Sequence, residues 1–164
     1  GNVEVNAEGV CYHRGLDIWT FRSLGKTDAD TIVIVTHFFS SEEAIGLGVS
    51  DKPSLFFILT HPVTLFFTVK GTINGVGEAQ LAASPSILSI SSGLNNKTVV
   101  LVTCKLQRIE EYVEALLEAG ARKVIITNTP ALNENFADDI VEKVVNARSD
   151  EALCKLSIFL CYGK

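Results

Sequence analysis

The chain has 164 residues, enough for one domain with its own core, and 47% of them are hydrophobic, which excludes wholesale disorder. Its formal net charge of −5 is spread over interspersed acids and bases. With no basic stripe to meet a run of phosphates, nucleic acid is not expected as a partner.

Four cysteines, Cys11, Cys104, Cys154 and Cys161, are too few and too widely spaced for a disulfide-stapled miniature, and no CxxC pair points to zinc or redox chemistry. Cys104 and Cys161 fall in apolar, strand-like runs, where cysteine serves as a small buried hydrophobe. A reducing, cytoplasmic setting is the simpler expectation. The chain holds no methionine and begins at Gly1, so a processed or excised product is expected.

In chain order, residues 1–8 are polar and expected to fray. From Val10 to Leu24 the pattern suggests two strands turning near Arg14-Gly15, with Trp19 and Phe21 on one face of the second. Gly25 to Asp28 is turn chemistry. Thr31 to Phe38, TIVIVTHF, is rich in β-branched residues and reads as a strand buried on both faces. Ser40 followed three positions on by Glu43 fits a capping box, which predicts a short helix through Leu47.

The segments SLFFILT and VTLFFTV, split by His61-Pro62, read as a hairpin or two neighbouring strands, because proline belongs at a break in a ladder. Together the stretch Leu55 to Val69 is too short and too interrupted for a membrane span, and none is expected. Gly71 to Gly77 reads as loop. Ser84-Pro85 and Gly93 then bracket a short helix.

The second half is plainer. KTVVLVTC reads as a strand, Gln107 to Ala119 as an amphipathic helix, RKVIITN as a strand, Glu134 to Ala147 as a second helix, and LCKLSIFLC as a last strand. Ile109, Val113, Leu116 and Leu117 mark the buried side of the first helix, and Phe136, Ile140, Val144 and Val145 that of the second. The expected fold is α/β: a single domain over 9–164 with a mixed, mostly parallel sheet. Its C-terminal half is βαβαβ, and its N-terminal half contributes extra antiparallel strands.

Several strands end in polar residues: Thr36-His37, Thr60-His61, Thr103-Cys104-Lys105 and Thr127-Asn128-Thr129. In open α/β sheets ligands bind beyond the carboxyl ends of the strands, beside helix N-termini. A small anionic or nucleotide-like ligand, or a substrate, would there meet Thr36, His37, Ser40, Thr103, Cys104, Thr127 and Asn128. The bland alternative is that any apolar strand turns polar as it leaves the core.

Cys104 with His37 or His61 as base would be a thiolate nucleophile, yet no familiar local signature surrounds it. His13, His37 and His61 lie too far apart for a finger-like metal pattern, and no metal or cofactor is expected. Acids such as Glu110, Glu111, Glu134 and Asp138 all fall on helices, away from the strand ends where acid–base chemistry sits.

No catalytic residues are therefore assigned. The surplus of apolar strand, in Val63–Val69 and in the last strand, points to a non-enzymatic protein-interaction or assembly module if either lies at a sheet edge. Its partner would be another protein or a second copy. The alternatives are the ligand site or enzyme just described, and a fragment of a larger enzyme.

Overall fold

The computed structural model describes residues 2–5, 9–15, 17–42, 44–49, 68–73, 76–89, 93–147 and 149–163. Their strands form a six-stranded and a four-stranded sheet within one α/β domain. The six-stranded sheet has the order β1 (Asn2–Val5), β2 (Val10–Arg14), β3 (Thr31–Val35), β8 (Thr98–Val102), β9 (Lys123–Thr127), β10 (Phe159–Gly163). The four central strands are mutually parallel, and β1 and β10 flank them antiparallel. The four-stranded antiparallel sheet, β4 (Phe38–Ser40), β5 (Ile45–Gly48), β7 (Val76–Ala83) and β6 (Thr68–Ile73), is inserted between β3 and β8.

The parallel strands take neighbouring places in chain order. Right-handed crossovers between such strands all fall on one face of the sheet. That face carries α1 (Ile18–Arg22), the second sheet and α2 (Ile109–Glu118), packed on Ile32, Ile34, Val99, Leu101, Val124 and Ile126. The alternate residues Val33, Val100, Val102 and Ile125 point the other way. They would be bare but for α3 (Glu134–Asn146) and α4 (Asp150–Cys154), which cover them with Ala137, Ile140, Val144 and Leu153. The period of two in the strands thus divides the interior into two cores.

Both long helices form where the sequence predicts them, though the buried stripe of α3 runs through Ala137 and leaves Phe136 37% exposed. Several expectations need correction. Residues 18–22 are helix, not strand, because the Asp17 carboxylate accepts the Thr20 amide at 2.7 Å and caps the turn. The helix expected after Ser40 is instead the β4–β5 hairpin. Ser41 closes it, with its amide 2.9 Å from the Ala44 carbonyl and its hydroxyl 3.1 Å from the Ala44 amide. Phe38, Ile45 and Leu47 go into the core, where the pull of burial outweighs a local capping signal.

Within the stretch read as loop, Gly71–Ile73 belong to β6 and Val76–Gly77 to β7. Asn2–Val5, in the stretch read as a fraying end, pairs with β2. In the short helix expected after Ser84-Pro85, the described residues Pro85–Ser89 form a 3₁₀ helix. The segments SLFFILT and the first five residues of VTLFFTV lie outside the described residues.

The last strand is shorter than expected and reversed. Leu153 and Cys154 close α4, whose N-cap Ser149 accepts the Ala152 amide at 3.2 Å. The chain crosses the sheet twice between β9 and β10, so β10 returns antiparallel to β9. Cys161, read as a small buried hydrophobe, is half-buried and disulfide-bonded to Cys154, with Cα atoms 5.8 Å apart. No helix of the described residues is long and apolar enough to cross a membrane.

Candidate functional site

The carboxyl ends of β2, β3 and β8 and the start of α3 enclose a hollow of about 240 Å³. Thr36, His37, Thr103 and Cys104 line it, so the polar ends of two strands do meet in one space. Parallel pairing of β3 with β8, Val35 opposite Val102, brings them together.

Their circumstances differ. The Thr36 hydroxyl donates to the Gly48 carbonyl at 2.7 Å, and the Gly48 amide returns a bond to the His37 carbonyl at 2.8 Å, tying the strand end to the second sheet. The His37 ring is exposed and lies 6.4 Å from that of Phe39. Cys104 is half-buried, with a free thiol. Thr103 is 1% exposed, and its Oγ1 has no hydrogen-bond partner among the described residues.

The other three residues proposed from sequence do not line the hollow. The Ser40 hydroxyl donates to the Gln107 carbonyl at 2.5 Å and anchors the hairpin to the approach of α2. Thr127 is fully buried. Its Oγ1 accepts the Thr103 amide at 3.1 Å and donates to the Thr103 carbonyl, extending the β8–β9 ladder by one side-chain rung. Asn128 is exposed, and its amide nitrogens bond toward β10 at Ile158 and Ser157.

What completes the wall is Arg14, at the end of β2, and Asn133 and Glu134, at the start of α3. Arg14 Nη2 donates to Asp138 Oδ1 at 2.5 Å, clamping the sheet edge to α3, while its Nε is buried and unpartnered among the described residues. Asn133 Oδ1 accepts the Phe136 amide at 2.8 Å and caps the helix. The sequence carried a signal for Arg14, which closes a strand parallel to the one ending in Thr36. That signal is visible only once β2 is known to run alongside β3.

A sulfur–imidazole contact does exist, but elsewhere. Cys11 Sγ lies 3.2 Å from His13 Nε2, with both residues sealed in the core at 1% and 3% exposure. Burial lowers the His13 pKa, which favours a neutral ring. A pair sealed from solvent cannot attack a substrate. Among the described residues no group of three or more His, Cys, Asp or Glu side chains converges on a common ion position.

No protein-family model matches this chain, and no curated protein matches it. Its site is therefore read from chemistry alone.

A second feature of the fold concerns surfaces. Strand β10 ends the six-stranded sheet, and no strand of the described residues pairs with its outer edge. Leu160 and Tyr162 pack on one core and Phe159 and Cys161 on the other, so both faces of this outermost strand are apolar. Strand β6, which begins inside the apolar run ending at Val69, likewise ends the four-stranded sheet.

Proposed function

We propose that the chain is a non-enzymatic protein-interaction or assembly module that takes on an extended strand of another chain along β10. The observation that supports this reading is the position of β10: among the described residues, a strand with apolar side chains on both faces stands last in its sheet. Such runs normally mark strands covered on both sides by neighbours. At an edge, the free N–H and C=O groups offer main-chain hydrogen bonds to an added strand, and the flanking side chains give it selectivity.

The Cys154–Cys161 bond suits this role. It fastens the middle of β10 to the end of α4 and fixes the register of the strand before a partner arrives. A second copy is the simplest occupant, since two β10 strands related by a two-fold axis run antiparallel and are self-complementary.

Sedimentation across a concentration series tests the reading. The wild-type chain should self-associate, Tyr162→Lys should shift it toward monomer, and a peptide spanning 157–163 should compete. A wild-type chain that stays monomeric at the highest attainable concentration, and that ignores the peptide, would rule the reading out.

A further inference from the structure

The Cys154–Cys161 bond sits where breaking it acts on a small part of the fold. Neither cysteine is sealed in the interior: both are half-buried and pack against the second core from its rim. Lys155, Leu156 and Ser157, which follow Cys154, are exposed. Thiol–disulfide exchange needs access to a sulfur, and disulfides at open positions are the labile ones.

The bond also joins two elements that have few other fixings. Helix α4 has five residues, far below the length at which a helix persists alone. Its start is tied by Asp150, whose carboxylate accepts the Thr98 hydroxyl at 2.5 Å and Arg122 Nη2 at 3.2 Å. Its end is held by the disulfide and by burial of Leu153 in the second core. Strand β10 pairs with β9 alone among the described strands. The central strands do not depend on the bond, since β2, β3, β8 and β9 pair with one another and α2 and α3 cover them.

Helix α4 is in addition one wall of a hollow of about 540 Å³ at the amino ends of β2, β3 and β9. Val10, Val144 and Leu153 belong both to that lining and to the second core. A shift of α4 therefore opens the hollow into apolar interior.

We infer that Cys154–Cys161 is a redox switch that docks α4 and β10 when oxidised and releases them when a dithiol reduces it. One thiolate of the dithiol attacks a sulfur of the pair, and the other cysteine leaves as a thiolate and takes up a proton. The second thiol then closes on the mixed disulfide and frees the remaining cysteine. Two electrons and two protons pass to the protein, and the dithiol ends as a disulfide. Release of α4 uncovers Leu153, so the reduced chain presents apolar surface that the oxidised chain covers. The switch acts within a single chain and is independent of strand addition along β10.

Hydrogen exchange of the full chain without denaturant, before and after dithiothreitol, tests this at a dilution that keeps the chain monomeric. The bond should be reduced in the folded chain, and exchange over 151–163 should quicken on the order of tenfold or more. Strands β3 and β8 should keep their protection, and glutathione disulfide should restore the slow exchange. A chain carrying both Cys154→Ser and Cys161→Ser should exchange as the reduced wild type does and ignore the reductant. A bond reduced only in denaturant, unchanged exchange after reduction, or protection lost throughout β3 and β8 would overturn the inference and mark the bond as a static staple.

Discussion

Cys11 Sγ and His13 Nε2 lie 3.2 Å apart on one face of β2, and the other ring nitrogen of His13, Nδ1, is buried with no hydrogen-bond partner among the described residues. The pair is a buried polar contact within β2, and burial holds the imidazole pKa below its ordinary value of 6.5.

This has a consequence for acid stability. Below about pH 6.5 the unfolded chain protonates His13 while the folded chain resists, so the unfolded state binds more protons and stability falls as pH drops. The loss continues until pH reaches the lowered folded pKa, and above neutrality the term is flat. Its slope is at most about 1.4 kcal/mol per pH unit for one group. Urea unfolding between pH 5 and pH 8 should show the decline, and His13→Gln should flatten that part of the curve relative to wild type. An unchanged slope in the variant would mean that His13 titrates alike in both states.

Thr127 makes a different kind of internal contact. Its Oγ1 serves both the amide and the carbonyl of Thr103, beyond the last β8–β9 backbone rung. Thr127→Val should leave both groups unmet and cost about 1–3 kcal/mol, the usual penalty for buried unpaired groups. Thr127→Ser should recover much of it. Chemical denaturation of the two variants side by side is the check, and a Thr127→Val variant as stable as the wild type would show that the hydroxyl rung contributes nothing.

The Cys154–Cys161 disulfide closes a short loop, with a sequence separation of 7. Loop-closure entropy gives such a cross-link about 2–3 kcal/mol. Cys154→Ser should lower stability by that order and speed amide exchange in β10 ahead of β9. Thiol titration of the denatured chain should find only Cys11 and Cys104 until a reductant is added.

Gly25 is fixed by proximity. A Cβ there would stand 1.7 Å from the Gly93 carbonyl oxygen, and the Asn95 side chain donates to the Gly25 carbonyl at 2.7 Å. Because the obstructing atom is backbone, Gly25→Ala must push two segments apart. It should cost at least the 1–3 kcal/mol or so typical of overpacking. A thermal melt unchanged from wild type would show that the close approach can relax.

The second half of the fold was legible in the sequence because its signals are local. Ile109, Val113 and Leu116 repeat at helical spacing and are buried as that spacing requires, and Val99–Val102 and Val124–Ile126 are apolar runs too short for helices. The first half misled where local and tertiary forces disagree. Ser40 with Glu43 carries a capping pattern, yet Phe38, Ile45 and Leu47 are buried in the core from strands. Asn74-Gly75, between two runs now seen as β6 and β7, is a hairpin signal that outweighs the neighbouring glycines.

For the candidate site, residue types at strand ends pointed to Thr36, His37, Thr103 and Cys104, which share the hollow. They could not separate these from Ser40, Thr127 and Asn128, whose hydrogen bonds serve the scaffold. A threonine at a strand end looks the same in sequence whether its hydroxyl lacks a partner or closes a rung.

By itself the sequence determined the class of fold and the places of the central strands and long helices, since periodicity and caps act over a few residues. Only the tertiary structure decided that Arg14 joins Thr103 across the end of the sheet, that β10 returns antiparallel and ends the sheet among the described residues, and that Cys154 reaches Cys161. Those facts depend on strand order and chain reversal. They are set by which apolar faces the whole chain can cover at once, and no local pattern encodes that.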